Sequence, residues 1–228
     1  MSRSRLLALA IPLLTVAAVT ASDGPAPPKT HLAEPGKLVF RDDMTGLPGK
    51  EWKASKGKWA PADGGLRGSE VKAEMHAAVL RRDLPFRDVV IQYSFKLDGA
   101  NATALGFNKA KGHLSRVNIN KNGFSVRKHD SDKDGPDKPV EFEAKKVAIE
   151  PGAWHTLVVE LVGKEMVATL DGTHVAYGGH DALDAEKVNF VLTVAGESAT
   201  FKDLRVWEAT PKKDWDAAKA KLVPARKK

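Results

Sequence analysis

The 228-residue sequence predicts an all-β jelly-roll sandwich of two antiparallel sheets with a short C-terminal helix. Apolar and polar residues alternate along many short segments, a pattern typical of strands that bury one face. Glycine-containing pairs such as Asn122-Gly123 and Asp171-Gly172 separate these segments. Such pairs supply the positive φ angles that tight hairpin turns need. Many short strands, regular turns and one helical pattern together favour a sandwich or jelly roll.

Residues 1–21 have the three parts of a secretory signal. Arg3 and Arg5 form the charged start, residues 6–19 an apolar run, and residues 19–21 a small-residue cleavage site. The apolar run is shorter than the roughly 20 residues that a membrane-spanning helix requires. We therefore expect an exported protein, periplasmic or extracellular, with no transmembrane segment after the signal is removed.

Residues 22–36 are rich in proline and poor in apolar side chains. This composition predicts an extended spacer outside the core. The jelly-roll domain is then expected over residues 37–209. The chain contains no cysteine, which excludes disulfides, thiol catalysis and thiolate metal sites. Its stability must come mainly from core burial, for which a chain of this length suffices.

Residues 89–97 form the clearest long strand of the predicted domain. The apolar residues Val89, Ile91 and Tyr93 alternate with Val90, Gln92 and Ser94. The next segments repeat this split, with polar side chains at positions that alternate with Leu105, Phe107, Val117 and Ile119. These strands should therefore bury one face and present the other to water or to a ligand.

Residues 153–180 predict a meander of three more antiparallel strands. Its buried face should consist of Leu157, Val159, Leu161, Met166, Ala168 and Leu170. Glu160 belongs to the opposite face, and a lone acid near a strand end is expected to be exposed. The first strand of the meander contains no other acid, and no E-x-D-x-x-E run, the usual device of a jelly-roll glycosidase, occurs in the sequence.

The C-terminal part predicts a β-bulge and then a helix. In a regular strand, the apolar residues before and after Asp203 would face opposite sides of the sheet. This indicates a bulge at that residue. Thr210-Pro211 has the composition of a helix start, with threonine as the N-cap. Apolar residues from Trp215 to Leu222 recur at helical spacing. Residues 210–228 are therefore expected to form a short docked helix and a basic tail.

The net charge of +7 is concentrated at the C-terminus. Residues 212–228 hold seven basic and two acidic residues, whereas residues 22–211 hold 27 of each sign. A neutral body with a basic end gives no sign of the clustered basic groove that binds phosphates. No nucleic-acid partner is expected, and the tail is interpreted as a solvated end.

A polar strand face carries the candidate binding residues, which are Gln92, Asn108, His113, Arg116 and Asn118. Planar amides, a guanidinium and an imidazole suit the recognition of sugar hydroxyls. The alternative is a plain solvent-facing sheet, because antiparallel sheets often have one wet face. Carbohydrate is thus the expected partner, and no catalytic residue is assigned.

Residues 130–141 match the sequence pattern of a calcium-binding loop, whose ligand positions would be Asp130, Asp132, Asp134 and Glu141. Such a loop is normally held between two helices. Here the flanking residues are predicted as strands, and two prolines stiffen the loop. We therefore expect a charged hairpin tip and no cofactor, with calcium as the alternative.

Several motifs occur in an order that resembles the 3-keto-disaccharide hydrolase domains of exported bacterial proteins, which have concanavalin A-like and laminin-G-like jelly rolls. The resemblance covers about residues 37–209 and rests on residues 38–43, Trp52, Trp59, His113, Arg116, residues 152–156, residues 170–172 and residues 201–206. It implies a carbohydrate-directed role and, for an enzyme, glycoside hydrolysis. The alternatives are a non-catalytic glycan-binding module and an envelope-interaction protein.

Overall fold

The computed structural model describes residues 25–130 and 135–223. The predicted signal at residues 1–21 lies outside the described part, and export stays a prediction. In chain order the strands are β1 (Ala33–Asp42), β2 (Trp52–Lys56), β3 (Lys58–Ala62), β4 (Gly65–Ser69), β5 (Ala78–Phe86), β6 (Val89–Leu97), β7 (Ala100–Asn108), β8 (His113–Asn120), β9 (Gly123–Lys128), β10 (Val140–Lys146), β11 (His155–Val162), β12 (Glu165–Leu170), β13 (His174–Gly179), β14 (Lys187–Gly196) and β15 (Ala199–Pro211). Helix α1 (Trp215–Leu222) follows, and single 3₁₀ turns occur at Lys72–Glu74 and Asp181–Leu183.

These strands form two antiparallel sheets. The first sheet has the order β13-β12-β11-β6-β15-β4-β3, with β1 also paired to β15. The second sheet has the order β10-β9-β8-β7-β14-β5-β2. Consecutive strands often lie in different sheets, as β6 and β7 do, so the chain crosses repeatedly between the two layers. The predicted two-sheet, all-β architecture with a short C-terminal helix is confirmed.

One hydrophobic core fills the space between the sheets. Tyr93, Phe95, Phe107, Phe190 and Phe201 are fully buried in it. Strands β11, β12 and β13 form the predicted meander, and none of its six predicted core side chains is more than 1% exposed. The turn between β12 and β13 uses positive φ angles at Asp171 and Gly172 (50° and 70°), as its hairpin geometry requires.

The predicted bulge is present in β15. Asp203 has a φ of 55°, and the register of β15 against β6 shifts between Lys202 and Arg205. The shift brings apolar side chains on both sides of the bulge into the core, because one extra residue reverses the alternation of a strand.

The outer face of the first sheet is covered by both ends of the described chain. The segment that enters β1 and helix α1 lie across this sheet, where they form a second apolar cluster made of Leu32, Ala33, Val90, Val158, Val162, Val167, Trp207 and Trp215. The predicted docking of the helix through its apolar side chains is therefore observed. The covered part surrounds Val90, Val158 and Trp207, whereas Gln92, Ser94 and Thr156 on the same face stay partly exposed.

Glu160 holds the N-terminal segment against this sheet, and its predicted exposure is wrong. The side chain is fully buried, and its carboxylate accepts backbone N–H groups from His31, Leu32 and Ala33 at 2.7–3.0 Å. Burial raises the pKa of the carboxyl, while the three N–H donors act in the opposite direction. A buried acid on the outer side of a sheet thus serves as an anchor.

Two element boundaries differ from the sequence-based expectation. The predicted spacer at residues 22–36 runs into the fold, because Leu32 is buried and β1 begins at Ala33. The helix begins at Trp215, whereas Thr210 and Pro211 extend β15. The reason is the pairing of β1 with β15, which joins Ala33 to Pro211 and continues the ladder past the helix-start signal. None of the helices in the described ranges is long and apolar enough to cross a membrane.

Candidate functional site

The outer face of the second sheet, called the polar face below, carries three cross-strand rows of residues. The first row is Asp83, Asn189, Asn108 and His113. The second row is Lys53, Arg81, Val191, Gly106, Arg116, Arg127 and Glu141. The third row is Thr193, Ala104, Asn118 and Ser125. Neighbouring rows are two residues apart along a strand, which corresponds to about 7 Å.

The first row contains a hydrogen-bonded chain of amides and an imidazole. Asn108 donates from Nδ2 to Oδ1 of Asn189 at 2.7 Å, and Nδ1 of His113 lies 2.7 Å from Oδ1 of Asn108. Because Oδ1 of Asn108 can only accept, Nδ1 of His113 carries the proton. A register shift between Phe107 and Asn108 brings His113 into this position. In the neutral imidazole, Nε2 is then left as an acceptor.

The second row places two arginines side by side at the centre of the polar face. Arg116 and Arg127 pair directly across β8 and β9, and their Nε atoms are shielded from water without a hydrogen-bond acceptor. Arg116 lies next to Gly106, where a Cβ would be 3.0 Å from Val191 and 3.8 Å from Nε of Arg116. A side chain at this position would therefore press on Val191, whereas its contact with Arg116 would be an ordinary one.

The third row borders a shallow depression of about 210 Å³. Asn118, Asn120, Asn122 and Ser125 contribute amide and hydroxyl groups to its lining, together with Glu141 at its border. These groups lie on the strands β8, β9 and β10 and on the turn after β8, so their positions are fixed by the sheet. A flat surface with several donors and acceptors suits a hydroxyl-rich ligand.

The charged and neutral groups of the polar face affect one another. Burial lowers the pKa of His113, and the charge of Arg116 adds to this effect. Burial likewise lowers the pKa of His129 to about 4, assisted by Arg116 and other basic neighbours. The two imidazole rings lie 5.6 Å apart, centroid to centroid. Both are therefore neutral near pH 7, when an imidazole can donate and accept at once.

Asp83 and Glu141, which lie in the first and second rows of the polar face, are widely separated. Asp83 contacts Lys53 and Arg81, at 2.5 and 3.0 Å, and Glu141 lies across five strand spacings from it. At about 4.8 Å per spacing, this amounts to about 24 Å along the sheet. Glu143 accepts a hydrogen bond from the backbone N–H of Tyr177 at 2.7 Å. A glycosidase pair requires carboxyl groups about 5–9.5 Å apart.

The structure brings four of the five predicted binding residues together. Asn108, His113, Arg116 and Asn118 all lie on the polar face. Gln92 does not join them, which corrects its assignment to the same surface. Its strand β6 pairs with β11 and β15 in the first sheet, so Gln92 faces outward on the opposite side of the sandwich.

The calcium alternative is not decided by the described residues. Asp132 and Asp134 lie outside the described part of the chain. Glu141 belongs to β10, where its carboxylate lies 3.9 Å from Arg127, and Asp130 follows the end of β9. The flanking strands that were predicted for this loop are observed, and the absence of a cofactor stays a prediction.

Solved structures with the same arrangement of strands are numerous. A Bacillus subtilis protein of unknown function with a galectin-like fold gives a TM-score of 0.59 at 12% identity, with 79% of this chain and 100% of that chain covered. The fold is a galectin-like jelly roll. The carbohydrate binding module CBM66 from Bacillus subtilis gives a TM-score of 0.57 at 20% identity, covering 69% of this chain and 96% of that chain.

An enzyme shares the same jelly roll. The GlcNAcα1-4Gal releasing endo-β-galactosidase from Clostridium perfringens gives a TM-score of 0.60 at 13% identity, with 81% of this chain and 65% of that chain covered. At such low identities the likeness shows the fold alone. No family model and no curated protein matches the sequence, so the resemblance to 3-keto-disaccharide hydrolases stays a prediction.

Three residues of the polar face in this jelly roll were absent from the sequence-based site. Arg127 lies at one of the positions of β9 that alternate with its apolar residues. The sequence pattern therefore already indicates that it faces the polar side. Asn189 and His129 had no comparable signal, because Asn189 joins Asn108 only through the pairing of β14 with β7. His129 follows β9 and reaches the polar face because its backbone N–H is bound to the carbonyl of Leu114 at 2.9 Å.

A larger groove of about 580 Å³ lies on the other side of the jelly roll, between α1 and the β12–β13 hairpin. Tyr177 and Trp215 line it, but both direct their polar atoms to Glu165, at 2.6 and 2.7 Å. Lys219 covers the Tyr177 ring at 4.9 Å from its centroid. These aromatic side chains are therefore used to hold the helix in place, and the polar face is the better candidate site.

Proposed function

We propose that the protein binds carbohydrate non-covalently through its polar face. The observation that carries this proposal is the set of amide, guanidinium and imidazole groups that rigid strands hold next to a shallow depression. Side chains fixed on strands lose little conformational entropy when a ligand binds. Similar structures include a carbohydrate binding module and an endo-β-galactosidase, which supports a carbohydrate as ligand.

Binding is favoured over hydrolysis by the position of the carboxylates. The strands of the polar face carry Asp83 and Glu141 at opposite sides of the sheet, too far apart to act on one glycosidic bond. Glu143 is engaged by Tyr177 and by Lys145 at 2.7 Å. The export predicted from residues 1–21 would bring the polar face to glycans outside the cytoplasm.

Calorimetry of amide variants against a panel of oligosaccharides tests the proposal. Asn108→Ala and Asn118→Ala should each weaken glycan binding about tenfold, the effect of losing one well-placed hydrogen bond of about 1.4 kcal/mol. Gln92→Ala is the matched control, because it removes an amide from the outer face of the other sheet. Its affinity should equal that of the unchanged protein.

Two results would contradict the proposal. Equal affinity in Asn108→Ala, Asn118→Ala and Gln92→Ala would place the ligand elsewhere on the molecule. Release of reducing sugar from a bound oligosaccharide, at a rate that scales with protein concentration, would show hydrolysis and so an acid pair that the strands of the polar face do not supply.

A further inference from the structure

We infer that the ligand is an acidic saccharide and that its oxyanion, a carboxylate or a sulfate ester, binds between Arg116 and Arg127. This inference rests on the proposed carbohydrate-binding function and adds the chemical class of the sugar. It follows from the arrangement of charge on the polar face and is independent of the net charge of the chain.

The two arginines form a pair of like charges with little compensation. They stand directly opposite each other on β8 and β9, where paired side chains are about 5 Å apart. Among the described residues, the single carboxylate in ion-pair range of either is Glu141, 3.9 Å from Arg127. Like charges at such a position disfavour each other. Burial and the charge of Arg127 accordingly lower the pKa of Arg116.

The unused donors of the pair point to an oxyanion. The Nε atoms of both arginines are shielded from water and have no acceptor in the described protein, as is also true of Arg67, Arg81 and Arg82. What distinguishes Arg116 and Arg127 from the first two of these is that no carboxylate of the described residues lies closer than 3.9 Å to either guanidinium. A buried donor without a partner is unfavourable, and the planar guanidinium fork matches a carboxylate or sulfate in geometry and charge. An oxyanion between Arg116 and Arg127 would accept hydrogen bonds from the terminal nitrogens of the two guanidinium groups and reduce their repulsion.

The same row contains a second basic pair, which shares a carboxylate at short distance. Lys53 and Arg81 share the carboxylate of Asp83, at 2.5 and 3.0 Å. Each of these two side chains therefore has a carboxylate within hydrogen-bond distance, which Arg116 and Arg127 lack. The contrast restricts the proposed anion site to the half of the polar face that contains Arg116 and Arg127.

The neighbours of the arginine pair favour a saccharide as the carrier of the charge. Asn108 and Asn118 are each two residues from the arginine row, about 7 Å away along the strands. Neutral His113 and His129 border the same region. Amides and neutral imidazoles both donate to and accept from hydroxyl groups, so hydroxyls beside the oxyanion would find partners on both sides.

The experiment compares three arginine variants with a matched control. Arg116→Gln and Arg127→Gln remove one charge each, and Arg116→Lys keeps the charge without the planar fork. Arg67→Gln is the control, because Arg67 on β4 of the first sheet has a side chain exposed to the same 35% as that of Arg127. The probes are oligogalacturonate, a sulfated oligosaccharide of galactose and the neutral galactose oligosaccharide, each measured by calorimetry without phosphate in the buffer.

An acidic saccharide should bind at least tenfold more tightly than its neutral counterpart. Arg116→Gln and Arg127→Gln should abolish this preference, Arg116→Lys should reduce it, and Arg67→Gln should leave it unchanged. Binding should weaken as NaCl rises, because salt screens the charges. The melting temperature of either glutamine variant should stay equal or rise, since the repulsion is relieved, whereas a purely structural arginine would lower it.

The outcomes separate the inference from the proposed function. Preference for oligogalacturonate identifies the oxyanion as a carboxylate, and preference for the sulfated probe identifies it as a sulfate ester. Equal binding of charged and neutral probes, still lost in Asn118→Ala, overturns the inference alone. Failure of every saccharide to bind overturns both. Binding of a single-stranded oligonucleotide as tightly as the acidic sugar, with equal dependence on Arg116, would also overturn the inference.

Discussion

His129 shows how the setting of one side chain controls its protonation. Its ring follows β9 beside Arg116 and His113, and Nε2 is shielded from water without a partner. Burial is the largest cause of the lowered pKa of about 4, followed by the charge of Arg116. The folded protein therefore binds fewer protons at this residue than the unfolded chain does between pH 6.5 and pH 4.

This difference predicts a pH-dependent stability. The free energy of unfolding should fall as the pH drops from about 6.5 to about 4, because the unfolded chain takes up the proton first. His129→Gln should flatten this part of the curve, as measured by urea unfolding at several pH values. His174→Gln, which changes an exposed histidine of β13, should leave the slope as it is. An unchanged slope in His129→Gln would contradict the assignment.

At the scale of elements, the meander of β11, β12 and β13 provides the clearest stability test. Leu157 is fully buried between the sheets, so Leu157→Ala should reduce the free energy of unfolding by about 2–5 kcal/mol. Leu47→Ala is the control, because that side chain is 72% exposed and its loss should change stability by less than about 0.5 kcal/mol. Equal effects of the two substitutions in chemical denaturation would show that the buried face is misassigned.

Periodicity in the sequence predicts which residues of a strand face inward, but it does not predict which sheet a strand joins. Gln92 and Asn108 have the same alternation, and their strands follow each other in the chain. A turn with Gly99 at a φ of 87° nevertheless sends β7 into the other sheet. The partners of β6 and β7 come from distant parts of the chain, and only these pairings separate the two polar residues.

The role of Glu160 could not be predicted from the sequence for a similar reason. Local sequence places it on the outward face of β11, where acids are normally exposed. The backbone N–H groups that it binds belong to a segment 127–129 residues earlier. The meander, the bulge at Asp203 and the common face of four of the five predicted binding residues follow from local patterns, whereas buried polar contacts depend on tertiary neighbours.

At the scale of the whole molecule, the anchoring of the N-terminal segment by Glu160 is testable. Glu160→Ala leaves three N–H donors without an acceptor, which should reduce the free energy of unfolding by about 1–3 kcal/mol or more. Limited proteolysis should then cut within residues 25–36 first, because the segment loses its attachment to the first sheet.

Two further variants make this result specific. Glu160→Gln keeps one oxygen acceptor and should have a smaller effect than Glu160→Ala. Glu208→Ala removes an exposed acid of β15 in the same sheet and should change stability by less than about 0.5 kcal/mol. Intact residues 25–36 after proteolysis of Glu160→Ala would show that the apolar contacts of Leu32 hold the segment without the carboxylate.

Because the first sheet is covered in this way, it also determines which face of the protein is accessible when the protein is attached to a surface. The segment that enters β1 and helix α1 both rest on that sheet, on the side opposite the polar face. Attachment to a sensor chip, a bead or a fusion partner next to this segment or to helix α1 would therefore turn the polar face outward, toward the medium. Immobilised molecules would all offer the same surface to a polymer passing over them, so that closely spaced copies could engage one long chain together.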